Sequence, residues 1–313
     1  MVSSEEAIHV VVPTWRGREH LAQLLPSLAA QTLQPTAVIL VDGASEDGSR
    51  EVAAEYGATW LDLGKNLGFA AAVHAGIEAS TAHRIAILNN DIRLAPDWLE
   101  CLARVDASFA VGKVLQWQHP ERIDATWDLA SLSGVPMRAG AGKRDSAYWN
   151  RGRSIDLAPW TAILLNREYW EATGGLDLSF ESYLEDVDIG LRGSKLGLRG
   201  IYEPAAVAWH RGSSTLGAWH PRQVQLTSRN QLKLVARHGG DWWKVIVGQG
   251  LWGFAAARHG CFLPWLEGKL EGIRNFKNEA DSTALLSRLE SEIFASDAAT
   301  GSDRFWRCYW MLT

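Results

Sequence analysis

Short apolar runs alternate with stretches of helical period through the first part of the chain. IHVVVPT (8–14) is continuous and β-branched, as expected of a strand covered on both faces. HLAQLLPSLAAQ (20–31) spaces its apolar residues as a helix does, with Pro26 as a local irregularity. TAVILVDGAS (36–45) reads as a second buried strand that ends on Asp42 and Gly43. SEDGSREVAAEYG (45–57) predicts a helix with Ser45 at its N-cap and Gly57 at its end. ATWLDLG is a third strand, GFAAAVHAGIEAS (68–80) a small-residue helix, and HRIAILNND (83–91) a fourth strand. This alternation implies an α/β fold, a mostly parallel sheet with helices on both faces.

The middle of the chain is less regular. FAVGKVLQW and WTAILLNREYW (160–170) read as strands, and the Gly-, Ser- and Arg-rich stretch between them as a long surface excursion. SYLEDVDIGLRGSKLG (182–197) predicts a helix closed by Gly197, with Leu184, Val187 and Leu191 as its buried stripe. Glu185 and Asp186 open its first turn, where the helix dipole favours carboxylates. Asp188 lies one turn before Arg192, the spacing of a structural ion pair. RGIYEPAAVAWHRGSST (199–215) reads as a strand, a proline break, a second short strand, then His210 and a Gly/Ser loop. From residue 240 apolar and Trp residues recur beside Lys and Arg. Amphipathic helices there are expected to pack on the rest, to lie on a membrane surface or to meet a second subunit.

Composition narrows the class. The 313 residues are 47% hydrophobic and 21% charged, an ordinary globular balance. A net charge of -5 and the lack of a basic run argue against nucleic acid. Cys101, Cys261 and Cys308 are far apart, so neither a disulfide framework nor a zinc site is expected, and a reducing compartment is. No apolar run reaches about 18 residues, and the start lacks a signal-peptide pattern. The expectation is a cytoplasmic protein, with a peripheral place on the inner membrane face left open.

The candidate chemistry sits at strand ends. In AILNNDIRLAPDW (86–98) a core strand runs into two amides and a carboxylate, which cost free energy unless paired. An Asx turn would suffice for one such end. Yet Pro13-Thr14, Asp42-Gly43, the segment 64–68 and Asn89 to Asp91 all fall at carboxyl ends, the rim where open α/β sheets bind ligands.

Taken together, VVPTWRGREHLAQLLPSL, VILVDGASEDGS, NLGFAAAVHAGI, ILNNDIRLAPDWLE, GGLDLSFESYLEDVDIGLRGSKLGLRG, AWHRGSST and SRNQLKLVARHG resemble the family 2 glycosyltransferases of GT-A fold, in their rhamnosyltransferase-like branch. The resemblance covers residues 8 to about 239. It implies a catalytic domain over 1–239, with 240–313 as a C-terminal helical extension.

It further implies inverting transfer from a nucleotide-diphosphate sugar, with dTDP-rhamnose as first candidate, to a glycan or lipid-linked acceptor, assisted by Mg²⁺ or Mn²⁺. On the residues that match, Pro13, Thr14 and Asp42 would hold base and ribose, with Asn66 and Gly68 near the nucleotide. Asn89-Asn90-Asp91 stands where the family has its DxD. There Asp91 would bind metal, Asn89 the ribose or a metal-bound water, and Asn90 the donor side. His210 would be the second metal ligand. Asp186 would be the general base, with Glu185 orienting the acceptor or replacing it. Trp160, Thr161 and Tyr183 would face the acceptor, and 211–221 could close as a lid. His74 departs from the family's Asn and is read as packed or solvated. Two other classes stay open, a sugar-nucleotide nucleotidyltransferase and a non-catalytic nucleotide-sugar-binding protein.

Overall fold

A computed structural model describes residues 7–212, 219–301 and 304–313. In chain order the first part runs β1 (Ile8–Thr14), α1 (Arg18–Ala29), β2 (Ala37–Asp42), α2 (Ser49–Glu55), β3 (Thr59–Asp62), α3 (Phe69–Ala79), β4 (Arg84–Leu88), β5 (Ile92–Leu94), α4 (Trp98–Ala103) and β6 (Phe109–Gln116). Four short strands follow: β7 (Ile123–Ala125), β8 (Asp128–Ala130), β9 (Pro136–Arg138) and β10 (Arg153–Ile155). Then come β11 (Ala162–Asn166), α5 (Arg167–Thr173), α6 (Glu185–Lys195), β12 (Gly200–His210) and α7 (Pro221–His238). The chain closes with α8 (Trp242–Arg258), α9 (Phe262–Arg274), α10 (Ala284–Thr300) and α11 (Arg304–Leu312).

The central sheet has the order β10-β12-β6-β11-β4-β1-β2-β3. Its β3-β2-β1-β4 part is parallel, and β6 pairs β12 in parallel. Strand β11 is antiparallel to both β4 and β6, between which it sits. Side-chain alternation builds two cores. Val10, Val12, Leu40, Ala86 and Leu88 face α1 and α4, while Val11, Ile39, Val41, Ile85 and Ile87 face α3 and the later helices. Each buried valine, leucine or isoleucine among them contributes about 1.5–3 kcal/mol.

Several expectations are corrected. Helix α2 starts at Ser49, because Ser45 is engaged elsewhere: its N–H and Oγ donate to Asp42 at 2.6 and 2.5 Å. The segment WTAILLNREYW is a strand only to Asn166; from Arg167 it turns helical and buries Tyr169, Trp170 and Thr173. Helix α6 begins at Glu185, since Tyr183 and Leu184 have φ of 72°. Residues 200–210 form one strand, whose pairing with β6 shifts register between Tyr202 and Val207, around Pro204. There Gly112 passes the backbone of Ala206 so closely that a Cβ would lie 1.9 Å from its carbonyl oxygen.

The largest correction concerns the supposed surface excursion. Trp127 and Trp149 are buried, with ring centroids 5.5 Å apart, and Tyr202 donates its hydroxyl to the Trp149 carbonyl at 2.8 Å. Buried Lys113 of β6 donates to Asp145 at 2.8 Å. The aromatics supply the apolar payload that a Gly- and Ser-rich stretch otherwise lacks.

Helix α10 completes this region. Leu286, Leu289 and Ile293 join the same core as Trp127 and Leu129. Arg288 makes a two-pronged pair with Asp156, both contacts at 2.9 Å. By contrast α8 and α9 leave large apolar side chains outside: Trp243, Ile246 and Phe254 are 68%, 66% and 69% exposed. Among the described residues no helix is long and apolar enough to cross a membrane.

Candidate active site

The carboxyl ends of β1, β2 and β4 open onto a cavity of about 750 Å³. Every expected site residue except Asp42 lines it. Thr14 and Asp42 are register partners in β1 and β2, but Asp42 is 1% exposed and both its oxygens accept from Ser45. Its carboxylate holds the turn after β2. Asn90 bridges to the neighbouring strand end, its Nδ2 donating to Thr14 Oγ1 at 3.0 Å, and the Asn89 N–H donates to the Thr161 carbonyl at 2.9 Å. Asn66 Oδ1 accepts the Gly68 N–H at 3.0 Å. Gly68 has φ of 87°, and a Cβ there would sit 2.7 Å from the Glu181 carbonyl oxygen, so the close approach of two loops requires glycine.

At one end of the cavity Asp91 and His210 converge. His210 Nε2 lies 3.1 Å from Asp91 Oδ1, and its Nδ1 lies 2.8 Å from Asp124 Oδ2. Burial alone would lower the imidazole pKa, but the hydrogen bonds and charges of Asp124 and Asp91 outweigh it and lift it to about 9. Among the described residues no group of three or more side chains could hold a metal. A two-ligand cation site fits the arrangement if the cation displaces the proton that His210 Nε2 holds against Asp91. One oxygen and one nitrogen face each other, the histidine is fixed from behind by a carboxylate, and diphosphate oxygens can complete the shell.

At the other end stand Glu185 and Asp186, at the first turn of α6. Asp186 is half-buried and accepts the N–H groups of Val187 at 2.9 Å and Trp160 at 3.4 Å. Glu185 is 5% exposed, and its Oε2 has no hydrogen-bond partner among the described residues. Burial raises both acids. Asp186 adds to the rise of Glu185, and Arg138 opposes it in both. Two raised acids side by side share their titration rather than losing protons independently.

The approach to α6 is strained. Glu181, Tyr183 and Leu184 all adopt positive φ, a cluster that side-chain-bearing residues avoid. Helix α7 holds it. The Asn230 amide donates to the carbonyls of Phe180, Ser182 and Tyr183 at 3.0, 3.1 and 2.8 Å. Arg229 donates to the Phe180 carbonyl at 2.9 Å and to Glu181 at 2.7 Å. Asp188 is fully buried and takes hydrogen bonds from Arg192, Arg237 and His238, each at 2.9 Å. Burial would raise its pKa, but these partners bring it down to about 2, as befits a structural anchor.

Three residues of the site escape sequence reasoning: Asp124, Asp128 and Arg138. All come from the short strands β7 to β9 or their edges, too short to show a period. Arg138 lies between the two ends, 3.9 Å from Asp124 and 4.0 Å from Asp128. Asp128 is 4% exposed, and burial pushes its carboxyl up to about 8 against the opposing charge of Arg138.

Trp160 is 3% exposed and packs near Trp170, so it offers no open stacking face to a sugar. Its backbone N–H serves Asp186 instead. Thr161 is equally buried, and Tyr183 faces the cavity from the strained loop. His74 packs edge-on against Trp170. Of the expected lid, 213–218 lie outside the described residues.

Residues 9–150 match the model of glycosyl transferase family 2. The match ends before Glu185, Asp186 and His210. N-acetylglucosaminyl-diphospho-decaprenol L-rhamnosyltransferase of Mycobacterium tuberculosis is 24% identical over 81% of this chain and 92% of its own length. Glycosyltransferase AglE of Haloferax volcanii is 25% identical over 47% of this chain and 52% of its own length. Two solved structures share the architecture: S. aureus TarS (TM-score 0.55, 12% identity, 94% of this chain) and GalNAc-T7 with UDP, GalNAc and Mn²⁺ (TM-score 0.65, 14% identity, 92% of this chain). The chain spans 55% and 57% of their respective lengths.

Proposed function

We propose, from the premise that this chain carries a family 2 glycosyltransferase domain of GT-A fold, that it is an inverting transferase using a nucleotide-diphosphate sugar. The acceptor is a hydroxyl on a glycan or lipid-linked sugar. One observation carries this reading: a two-ligand cation site, Asp91 and His210, and a raised carboxylate pair, Asp186 and Glu185, face one cavity at the carboxyl ends of parallel strands.

Mg²⁺ or Mn²⁺ held by Asp91 and His210 would offset the charge that develops on the leaving diphosphate. Asn66, Asn89, Asn90 and the Pro13-Thr14 strand end hold the nucleotide side. Asp186 takes the acceptor hydroxyl proton as the new bond forms on the face opposite the leaving group. Glu185, the more deeply buried acid, keeps its proton longer and orients the acceptor by donating it. The 24% identity to a rhamnosyltransferase supports rhamnose as the transferred sugar, and dTDP-rhamnose is the first donor to test. The exposed apolar face of α8 and α9 supports contact with the membrane that would carry a lipid-linked acceptor.

Calorimetry with dTDP, UDP and their sugar conjugates, with and without Mn²⁺, tests the donor end. Asp91→Ala is expected to remain folded and to lose metal-dependent nucleotide binding. Unchanged metal dependence in this variant would remove Asp91 from the site. Metal-dependent donor hydrolysis by purified protein separates an enzyme from a binding protein.

A further inference from the structure

Between the two ends of the cavity, hydrogen-bonding capacity is left unmet. Asp128 Oδ1 and Glu185 Oε2 are buried without a hydrogen-bond partner among the described residues. Their side chains are 4% and 5% exposed, and both line the cavity. Arg138 lines it too and is 41% exposed; its approaches to Asp128 and Asp124, at 4.0 and 3.9 Å, are too long for hydrogen bonds. A buried carboxylate oxygen with no donor carries a desolvation cost that folding alone does not recover. Such a group is explained when a ligand supplies the donor.

The charge pattern says which ligand. An anion at this point would require Asp128, Glu185 and Asp186 all to hold their protons. A cation would meet the Arg138 guanidinium. A neutral polyol meets neither objection, because each hydroxyl can donate to a carboxylate and accept from a guanidinium. The subsite lies between the cation ligands and the carboxylate pair, the space through which a sugar would pass during transfer.

We propose that Asp128 and Arg138, with Glu185, form a subsite that binds the hydroxyl groups of a sugar ring. Asp128 accepts from one ring hydroxyl, and Arg138 donates to a neighbouring one. The class of ligand, a sugar, rests on the transferase reading. The ring could belong to the donor or to the acceptor, and the two are told apart by experiment.

The variants are Asp128→Asn and Arg138→Gln in the full chain. Affinities for dTDP, dTDP-rhamnose, UDP and UDP-N-acetylglucosamine are measured by calorimetry with Mn²⁺. Initial rates are measured against a soluble short-chain N-acetylglucosaminyl diphospholipid. A hydrogen bond to a charged group corresponds to about 10- to 100-fold in affinity. If the donor ring is bound, sugar-nucleotide affinity falls by that factor while nucleoside-diphosphate affinity stays within about 2-fold. If the acceptor ring is bound, the acceptor KM rises by that factor, with kcat and both nucleotide affinities little changed. Either result supports the subsite. Folded variants with unchanged sugar-nucleotide affinity and unchanged acceptor KM overturn it. Should Asp128→Asn fail to fold, Arg138→Gln, at a half-exposed position, decides alone. Wild-type protein that binds no nucleoside diphosphate refutes the transferase reading instead, so the two failures are distinct.

Discussion

Asp186 and Glu185 are neighbours in sequence, yet their surroundings assign them different work. Asp186 keeps one side toward the cavity and receives two backbone N–H groups, whereas Glu185 is enclosed. Asp186→Asn preserves shape and hydrogen bonding but removes the proton acceptor. Transfer is expected to fall by about 10²- to 10⁴-fold, with nucleotide affinity near wild type. Glu185→Gln is expected to be milder, because an amide can still donate to the acceptor. The pH dependence has a definite sign. A base works when deprotonated, and Asp186 is raised above the ordinary carboxylate value. The rate therefore climbs with pH through a limb displaced upward from the usual carboxylate range. A pH profile of kcat, flat through that region, would take the role of base away from Asp186. At this scale the sequence points to those cavity-lining residues that stand at strand ends or helix starts: Asp91, Asp186, His210. Asp124, Asp128 and Arg138 sit on or beside three-residue strands, where no period exists to be read. Asp42 lies off the cavity for a different reason. Its strand-end position was legible, but its engagement by Ser45 depends on the turn geometry.

Among the elements, α7 governs the site without lining much of it. The loop 181–184 holds three non-glycine residues at positive φ, each costing about 1–3 kcal/mol unless its surroundings enforce it. Asn230, fully buried, enforces it through three carbonyl groups. Phe180 keeps its bond from Arg229, but Asn230→Ala takes this donor from the Ser182 and Tyr183 carbonyls, at a cost of about 1–3 kcal/mol. The expected signature is a lower melting temperature together with a fall in kcat that exceeds any change in nucleotide affinity, because the loop presents the carboxylate pair. A variant with wild-type kcat would show that the strain is incidental to catalysis. The neighbouring Asp188 cluster explains why the loop has a firm footing: a buried carboxylate held by two arginines and a histidine is costly to break, about 3–5 kcal/mol. Strands β1 to β4 and helices α1 and α3 were legible because a doubly covered parallel strand and an amphipathic helix leave opposite periods. The four short strands after β6 were not, since their stability comes from Trp127, Trp149, Tyr202 and the distant leucines of α10.

For the whole molecule, the C-terminal helices divide by what they bury. Helix α10 packs into the main core through Leu286, Leu289 and Ile293, a tertiary contact that sequence periodicity cannot reveal. Helices α8 and α9 do the reverse. Trp243, Ile246 and Phe254 fall along one outward face of α8, and Leu263 and Ile273 of α9 are 67% and 62% exposed. Single exposed apolar residues are ordinary, but a row of them on adjoining helices marks a contact surface. The turn between these helices touches the site region: His259 stacks on Trp219 at 4.1 Å, and Trp219 precedes the cavity residues His220 and Arg222. On the proposed function, a lipid-linked acceptor would arrive from a bilayer at this face. The double variant Trp243→Ser, Ile246→Ser changes only exposed positions and should fold. Each side chain is worth about 1.5–3 kcal/mol when buried in an apolar phase, so vesicle binding is expected to drop at least about 10-fold. Nucleotide affinity, assigned to residues outside α8 and α9, should hold. Flotation with phosphatidylcholine vesicles, with and without phosphatidylglycerol, measures the first quantity and calorimetry the second. Sedimentation analysis supplies the contrary outcome: a wild-type dimer that the double variant dissociates, with no vesicle binding by either, would assign this face to a second copy of the chain.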